Sequence, residues 1–458
     1  RLERRGEPNY IVLELEGRAG GTACYGSDGI VPYPWGAHYV PVPSSRHASL
    51  CQLLMEMGAV ERGPDDSIIG KEQCLVRVPT ERLFVGQKWV EGLTPAPILT
   101  NEDRRQFSVF HSVVDRWVRW RDVKGRRAFT LPLADCSDDV EAIELDRVSA
   151  ATWLRSLRLT SKPLRWWLEY ACRDDYGCSL ETTSAWALLF YHVARVSEAG
   201  AASAPFLTWP EGNGRIVRYL ESVVGDRLLR NRLTIDIHPS DTGARVTVLD
   251  SETQRAEVIA ADQVILAVPS FLARHLLRPF RESPPAHYAS FSYTPWLVAN
   301  LHLKSRPRNV GYPLAWDNVV YAGASLGYVV ATHQTLDDDG PTIWTYYQPM
   351  LDPDPAVARR RLDAATHTAT WDAVLAELAS PHPDLATHTT RMDVWHFGHA
   401  MIRPVPGMVS GAARRKAAIP FRAVHFAHTD LSGVALLDEA HFHGVRAADE
   451  VLAERRRQ

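Results

Sequence analysis

The most constraining feature of the sequence lies at its beginning. Arg1–Gly6 (RLERRG) has the form of the last turn of a helix, closed by Gly6 as a C-terminal cap. Tyr10–Leu15 (YIVLEL) follows as a short apolar strand carrying Glu14, and Gly20 and Gly21 then make a turn. Helix end, strand, acidic residue and glycine turn, in that order, form the second half of a nucleotide-binding βαβ unit. The acidic residue of such a unit stands roughly 20 residues after a G-x-G-x-x-G loop. That loop occurs nowhere in the sequence, and Gly212-Asn-Gly214 lacks both the third glycine and a preceding strand. The expectation is therefore a sequence that starts inside the first helix of the unit. A chain complete as written would lack the phosphate cradle and the central strand.

Composition narrows the function classes. The 458 residues carry a formal net charge of −3, too near zero for a protein that coats nucleic acid or rides on a polybasic membrane anchor. Only six of the 51 basic residues are lysines, so few amines are available for catalysis. Six scattered cysteines without a CxxC do not make a disulfide framework and favour a reducing, cytoplasmic setting. No apolar run approaches the roughly 20 residues that span a bilayer. The best, Ala185–Ala194 (AWALLFYHVA), reads as a core helix.

Periodicity gives helices at Ala48–Gly58, Phe107–Arg119, Arg147–Arg158 and Arg215–Val224, and one long helix at Ala356–Leu378. Strand patterns fall at Leu233–Ile237, Ala244–Leu249, Gln263–Val268 and Val424–Ala427, with a last amphipathic helix at Leu436–Arg455. Val31–Pro43 (VPYPWGAHYVPVP) is too irregular for a regular element.

Three separated segments fit together. Val12–Gly21 (VLELEGRAGG), Val264–Pro269 (VILAVP) and Val424–Leu452 (VHFAHTDLSGVALLDEAHFHGVRAADEVL) resemble, in order and spacing, segments of the flavin-containing amine oxidase and phytoene desaturase superfamily. The resemblance implies an α/β fold, with a Rossmann-like FAD-binding domain (1–60, 200–275 and 415–458) interleaved with a mixed α+β substrate domain (61–199 and 276–414). It implies FAD contacts at Glu14, Arg18, Gly20, Gly21, Gly36, Ala37, Leu233, Pro269, Asp430, Glu439 and Gly444. The chemistry suits those roles. A carboxylate ending the second strand can accept both ribose hydroxyls, and glycines let the backbone approach a pyrophosphate or a flavin. Asp430 corresponds to the residue that bonds the ribityl or phosphate part, and Gly444 to a close approach beside the isoalloxazine.

The resemblance further implies an FAD-dependent oxidoreductase that takes a hydride from a C–N or C–C bond of a small organic substrate. The family commonly holds a water near the flavin with a lysine at the start of a substrate-domain strand. Thr294–Lys304 (TPWLVANLHLK) has its only lysine at the far end, so Lys304 is not assigned that role. Catalytic candidates are Trp395, His399 and Tyr39, with Trp35, His38, Trp316 and Tyr321 as further cavity walls. The rival reading is a cofactor-free binding or scaffold protein that keeps the fold.

Other patterns carry less. Gly323-Ala-Ser325-Leu-Gly327 matches G-x-S-x-G, but β-rich residues on both sides make it a turn between strands, not a nucleophile elbow. The pairs His396/His399, His425/His428 and His441/His443 have metal-ligand spacings without a nearby cysteine, and no metal site is assigned. Tyr170–Ala187, containing Arg173, Asp174, Asp175 and Glu181, reads as a charged loop between helices with an N-cap before Trp186, the alternative being a substrate-domain loop that closes over the active site.

Overall fold

The computed structural model describes residues 1–455. Helix starts follow local capping chemistry. Thr100 accepts from the Asp103 amide and Asp103 returns the bond, so the helix Asn101–Arg119 begins six residues before its apolar pattern does. Ser161 and Ser184 cap the helices Lys162–Tyr176 and Ala185–Val193 by accepting from the Leu164 and Ala187 amides. Thr366 also caps, accepting from the Ala369 amide, and this corrects the long-helix expectation: residues 356–378 form two helices, Pro355–Asp363 and His367–Leu378. A second correction concerns Arg173–Asp175, which lie inside the helix Lys162–Tyr176 and not in a loop.

The strand expected at Tyr10–Leu15 shortens to Val12–Leu13 and pairs in parallel with Leu228–Leu229. Val264–Leu266 pairs in parallel with Val424–Phe426. The two pairs belong to separate sheets, yet Leu13, Leu266, Val424 and Phe426 share one apolar core with Val246 and Val248 of the antiparallel meander Arg232–Pro239, Ala244–Asp250 and Arg255–Ala261. The first residues lie on the last helix, Leu437–Arg455, through Arg1–Asp449 at 2.7 Å and an Arg455–Glu7 pair.

A seven-stranded sheet forms the other half of the architecture, in the order Thr389–Ile402, Tyr293–Leu303, Thr342–Pro349, Tyr328–Val330, Asp317–Val320, Glu81–Val85 and Lys88–Glu91. Every residue of Tyr293–Leu303 is buried, because both faces of the sheet are covered. The alternation of a strand sorts them. Leu297, Ala299, Leu301 and Leu303 pack with Trp344, Tyr346 and Leu362 on one face. Trp296 and Val298 face Tyr170, Trp316 and Tyr347 on the other. The G-x-S-x-G stretch connects the strands Asp317–Val320 and Tyr328–Val330, and Ser325 donates to Glu377 at 2.6 Å. Gly327 has φ +90°, and a Cβ there would sit 1.9 Å from the Asn318 carbonyl oxygen. Among the described residues, no helix is long and apolar enough to cross a membrane.

Candidate functional site

Of the expected cofactor residues, Glu14, Arg18, Gly20 and Gly21 lie past the first strand, and that turn is bonded along a seam to the segment Trp35–Ala37, which holds Gly36 and Ala37. Glu14 stands just past its strand, its carboxylate accepting from the Glu16 amide at 3.0 Å, and burial holds its pKa above the ordinary value. Arg18 donates to the Tyr25 carbonyl and places its guanidinium 5.4 Å from the centre of the Trp35 ring. Gly20 and Gly21 adopt φ +125° and +55°, conformations that favour glycine. Two bonds at 2.9 Å, from the Trp35 amide to the Cys24 carbonyl and from the Ala37 amide to the Thr22 carbonyl, lace this turn to the next segment. Gly36 is required there, because a Cβ would lie 2.7 Å from the Thr22 oxygen.

Polar atoms along the seam lack partners. Trp35 Nε1 is a buried donor without an acceptor, and Asn213 Oδ1 a buried acceptor without a donor, although the Asn213 amide holds the Ala37 carbonyl at 3.1 Å. A Cβ on Gly444 or Gly21 would meet no atom within 4 Å, so open space adjoins both. A carboxylate past a strand end and buried polar atoms without partners among the described residues suit the ribose and the polar edge of FAD.

Asp430 and Glu439 are placed differently from what the sequence suggests: both carboxylates are turned into protein. Asp430 accepts from the Ser270 amide at 2.8 Å and the Tyr293 hydroxyl at 2.7 Å, and pairs with His428 at 3.0 Å. Burial would raise its pKa, but the His428 charge and these bonds outweigh burial and hold it low. Glu439 accepts from the Leu133 amide at 2.7 Å and from the Ser432 hydroxyl, and burial pushes its pKa up to about 7. Pro269 precedes the helix that Asp430 caps, and Leu233 sits in the meander opposite Leu249.

On the sheet side of Trp35–His38 lies an aromatic wall. Tyr39 packs on Phe206 at 4.6 Å between ring centres, and His38 on Tyr347 at 5.1 Å and Trp316 at 5.5 Å. Behind the wall stand three carboxylates that no motif announced. The Tyr39 hydroxyl bonds Asp174 and Asp175, each at 3.3 Å. The Tyr170 and Tyr347 hydroxyls bond Asp317, each at 3.1 Å. Among the described residues, Arg195 pairs with Asp175 at 3.2 Å. Burial, then the neighbouring Asp175 and Asp317, drive Asp174 well above the carboxylate range. Burial, then Glu81, push Asp317 up to about 7.

The three catalytic candidates have separate partner sets. Tyr39 belongs to the aromatic wall. Trp395 stacks on Trp35 at 3.6 Å, beside a cavity of about 440 Å³ lined by Arg18, Tyr33, Trp35, Arg391, Asp393 and Trp395 among others. His399 stacks on Phe271 at 4.3 Å, near Tyr293 and hence on the Asp430 side. Tyr321 packs on Trp166, and Lys304 is exposed beyond the end of its strand. Of the paired histidines, His425 is held by Gln263 and Glu450. Among the described residues, no group of three or more His, Cys, Asp or Glu is arranged to hold a metal.

Comparison with known proteins bears directly on this arrangement. Residues 1–452 match the family model described as flavin containing amine oxidoreductase. No curated protein matches the sequence. Solved structures share the fold at low identity. Putrescine oxidase bound to putrescine gives a TM-score of 0.69 at 15% identity, covering 98% of this chain and 95% of that one. Cyclohexylamine oxidase from Brevibacterium oxydans IH-35A gives 0.64 at 15%, covering 97% and 94%. A fatty acid isomerase from P. acnes gives 0.67 at 13%, covering 98% and 94%. With the family model spanning nearly the whole sequence, this protein is an FAD-dependent oxidoreductase, and the chain belongs to the flavin-containing amine oxidoreductase family.

Proposed function

We propose that the substrate is an amine, oxidised where the segment Trp35–His38 meets the inner face of the seven-stranded sheet. One observation carries this reading: Asp174, Asp175 and Asp317 are gathered behind an aromatic wall, and among the described residues Arg195 is the cation paired with them. Arg195 answers Asp175 and burial holds Asp174 well above the carboxylate range, so Asp317, with a pKa of about 7, is the member of the group that can meet the charge or the N–H groups of an amine.

In this reading the chain divides as its sequence suggests, with 1–60, 200–275 and 415–458 holding the nucleotide and 61–199 and 276–414 holding the substrate. Glu14 takes the adenosine ribose hydroxyls, and Trp35 Nε1 and Asn213 Oδ1 pair with polar atoms of the flavin edge. When bound, FAD supplies the hydride acceptor. The protein's own work is to orient the amine and to keep water out with Tyr39, Trp316 and Tyr347. Asp430 and Glu439 position the surrounding backbone and do not themselves reach the cofactor.

The test is spectroscopic. Purified protein supplied with FAD should turn yellow, release FAD on denaturation, and bleach without oxygen when given putrescine or cyclohexylamine. Bleaching by a fatty acid but by neither amine would overturn the substrate assignment. A protein that stays colourless with FAD present would overturn the placement of the cofactor.

A further inference from the structure

The cavity beside the Trp35–Trp395 stack is lined by charge as well as by rings. Its volume, about 440 Å³, suits a small molecule. Two guanidinium groups, of Arg18 and Arg391, stand on its lining with one carboxylate, of Asp393. That carboxylate is answered from within the protein. Asp393 accepts twice from Arg391, each time at 2.7 Å, and from the Tyr33 hydroxyl at 3.1 Å, and it faces His302 Nε2 at 3.0 Å. Burial would raise its pKa, but these partners outweigh burial and hold it low. Arg391 gives Nε and Nη2 to Asp393, which leaves Nη1 for another acceptor. Arg18 donates to the Tyr25 carbonyl at 3.2 Å, and among the described residues no acid pairs with it. The lining is therefore short of negative charge. Much of the remaining wall is apolar, from Val394 and the two stacked indoles. Trp35 Nε1 is buried, so its indole presents carbon atoms to this space and keeps its donor for the seam.

We propose that this cavity binds a small organic anion, its acid group met by Arg18 and by Nη1 of Arg391, its apolar body lying on Val394 and the indoles. A planar guanidinium fork matches a carboxylate or a phosphate, and a charge-assisted bond is roughly twice as strong as a neutral one. Asp393, His302 and Tyr33 form the frame that holds the Arg391 fork in place. The site uses none of the acids behind the aromatic wall, so it stands whether or not the substrate is an amine.

Titration calorimetry on the protein, with and without FAD, tests it. The probes are phenylacetate, phenyl phosphate and the neutral phenylacetamide. Phenylacetate or phenyl phosphate should bind one to one, the tighter of the two naming the acid group, and the amide at least about tenfold more weakly. Arg18 is exposed, so Arg18→Gln should fold as the wild type does. It should weaken the anion at least about tenfold and leave the amide unchanged. Ser27→Asp sets a new carboxylate on the same lining and should weaken the anion likewise. Arg391 is left in place, because removing it would free Asp393. Wild type and Arg18→Gln binding the anions equally well would overturn the proposal, as would anions that bind no better than the amide or not at all. Anions that bind only without FAD would make Arg18 part of the cofactor site and overturn it too.

Discussion

At the scale of single residues, the interior holds acids whose protonation is linked to folding. Glu439 is fully buried, and burial lifts its pKa from 4.5 to about 7. The folded protein therefore keeps a proton that the unfolded chain has released. This contribution to stability is complete below about pH 4.5 and is lost as pH rises through about 7. The loss is on the order of 3 kcal/mol at most. Glu439→Gln removes the titration, and its amide can still accept from the Leu133 amide while Ser432 turns its proton to His443. Urea midpoints at about pH 5 and pH 8 should then fall less in the variant than in the wild type. An equal fall in both proteins would show that Glu439 does not titrate between them. Sequence alone assigns Glu439 to the cofactor. Nothing in DEAHFHG distinguishes a carboxylate facing a ligand from one facing Leu133, a residue some three hundred positions away.

At the scale of elements, the helix Lys162–Tyr176 shows why the carboxylates behind the aromatic wall were not legible. Arg173, Asp174 and Asp175 in succession look like a solvated loop, yet helical spacing places Asp174 one turn beyond Tyr170, on the face that meets the sheet. Their partners come from elsewhere in the chain: Tyr39, Arg195 and Asp317. By contrast, caps and strand ends are local, so Ser184 and the strand at Val424–Phe426 could be read directly from the sequence. Gly177 joins the helix to the sheet. It ends the helix at φ +61°, and a Cβ there would lie 2.7 Å from Trp296 Nε1 and 2.9 Å from a Thr294 methyl. Gly177→Ala meets both the backbone strain of about 1–2 kcal/mol for a left-handed residue and these clashes. Thermal unfolding should show a loss above about 1 kcal/mol, together with a changed near-ultraviolet signal from Trp296. A variant as stable as the wild type would show that the helix end is free to shift away from the strand.

At the scale of the whole molecule, the seam proposed for FAD would draw on segments far apart in the sequence: Glu14, Gly36–Ala37, Asn213 and Gly444. The order of the family's segments was legible because each carries its own strand or glycine turn. The enclosed shape between them was not, since it depends on contacts such as Ala37 to Thr22 and Asn213 to Ala37. A ligand held by such a seam binds the native state and not the unfolded chain, so it shifts the unfolding equilibrium by mass action. At a concentration one hundred times its dissociation constant, FAD should stabilise the protein by about 2.7 kcal/mol. Gly36→Ala tests whether the seam is where that energy arises. Its methyl group would meet the Thr22 carbonyl oxygen at 2.7 Å, and backbone cannot swing aside as the end of a side chain does. The turn carrying Gly20 and Gly21 would be displaced from the segment Trp35–Ala37. Without FAD, the variant should itself unfold earlier than the wild type, so the quantity compared is the gain that FAD gives each protein. With FAD, it should lose most of the stabilisation, because the displaced turn removes ligand contacts that the bare protein never had. A Gly36→Ala protein that gains as much from FAD as the wild type would place the flavin elsewhere in the fold.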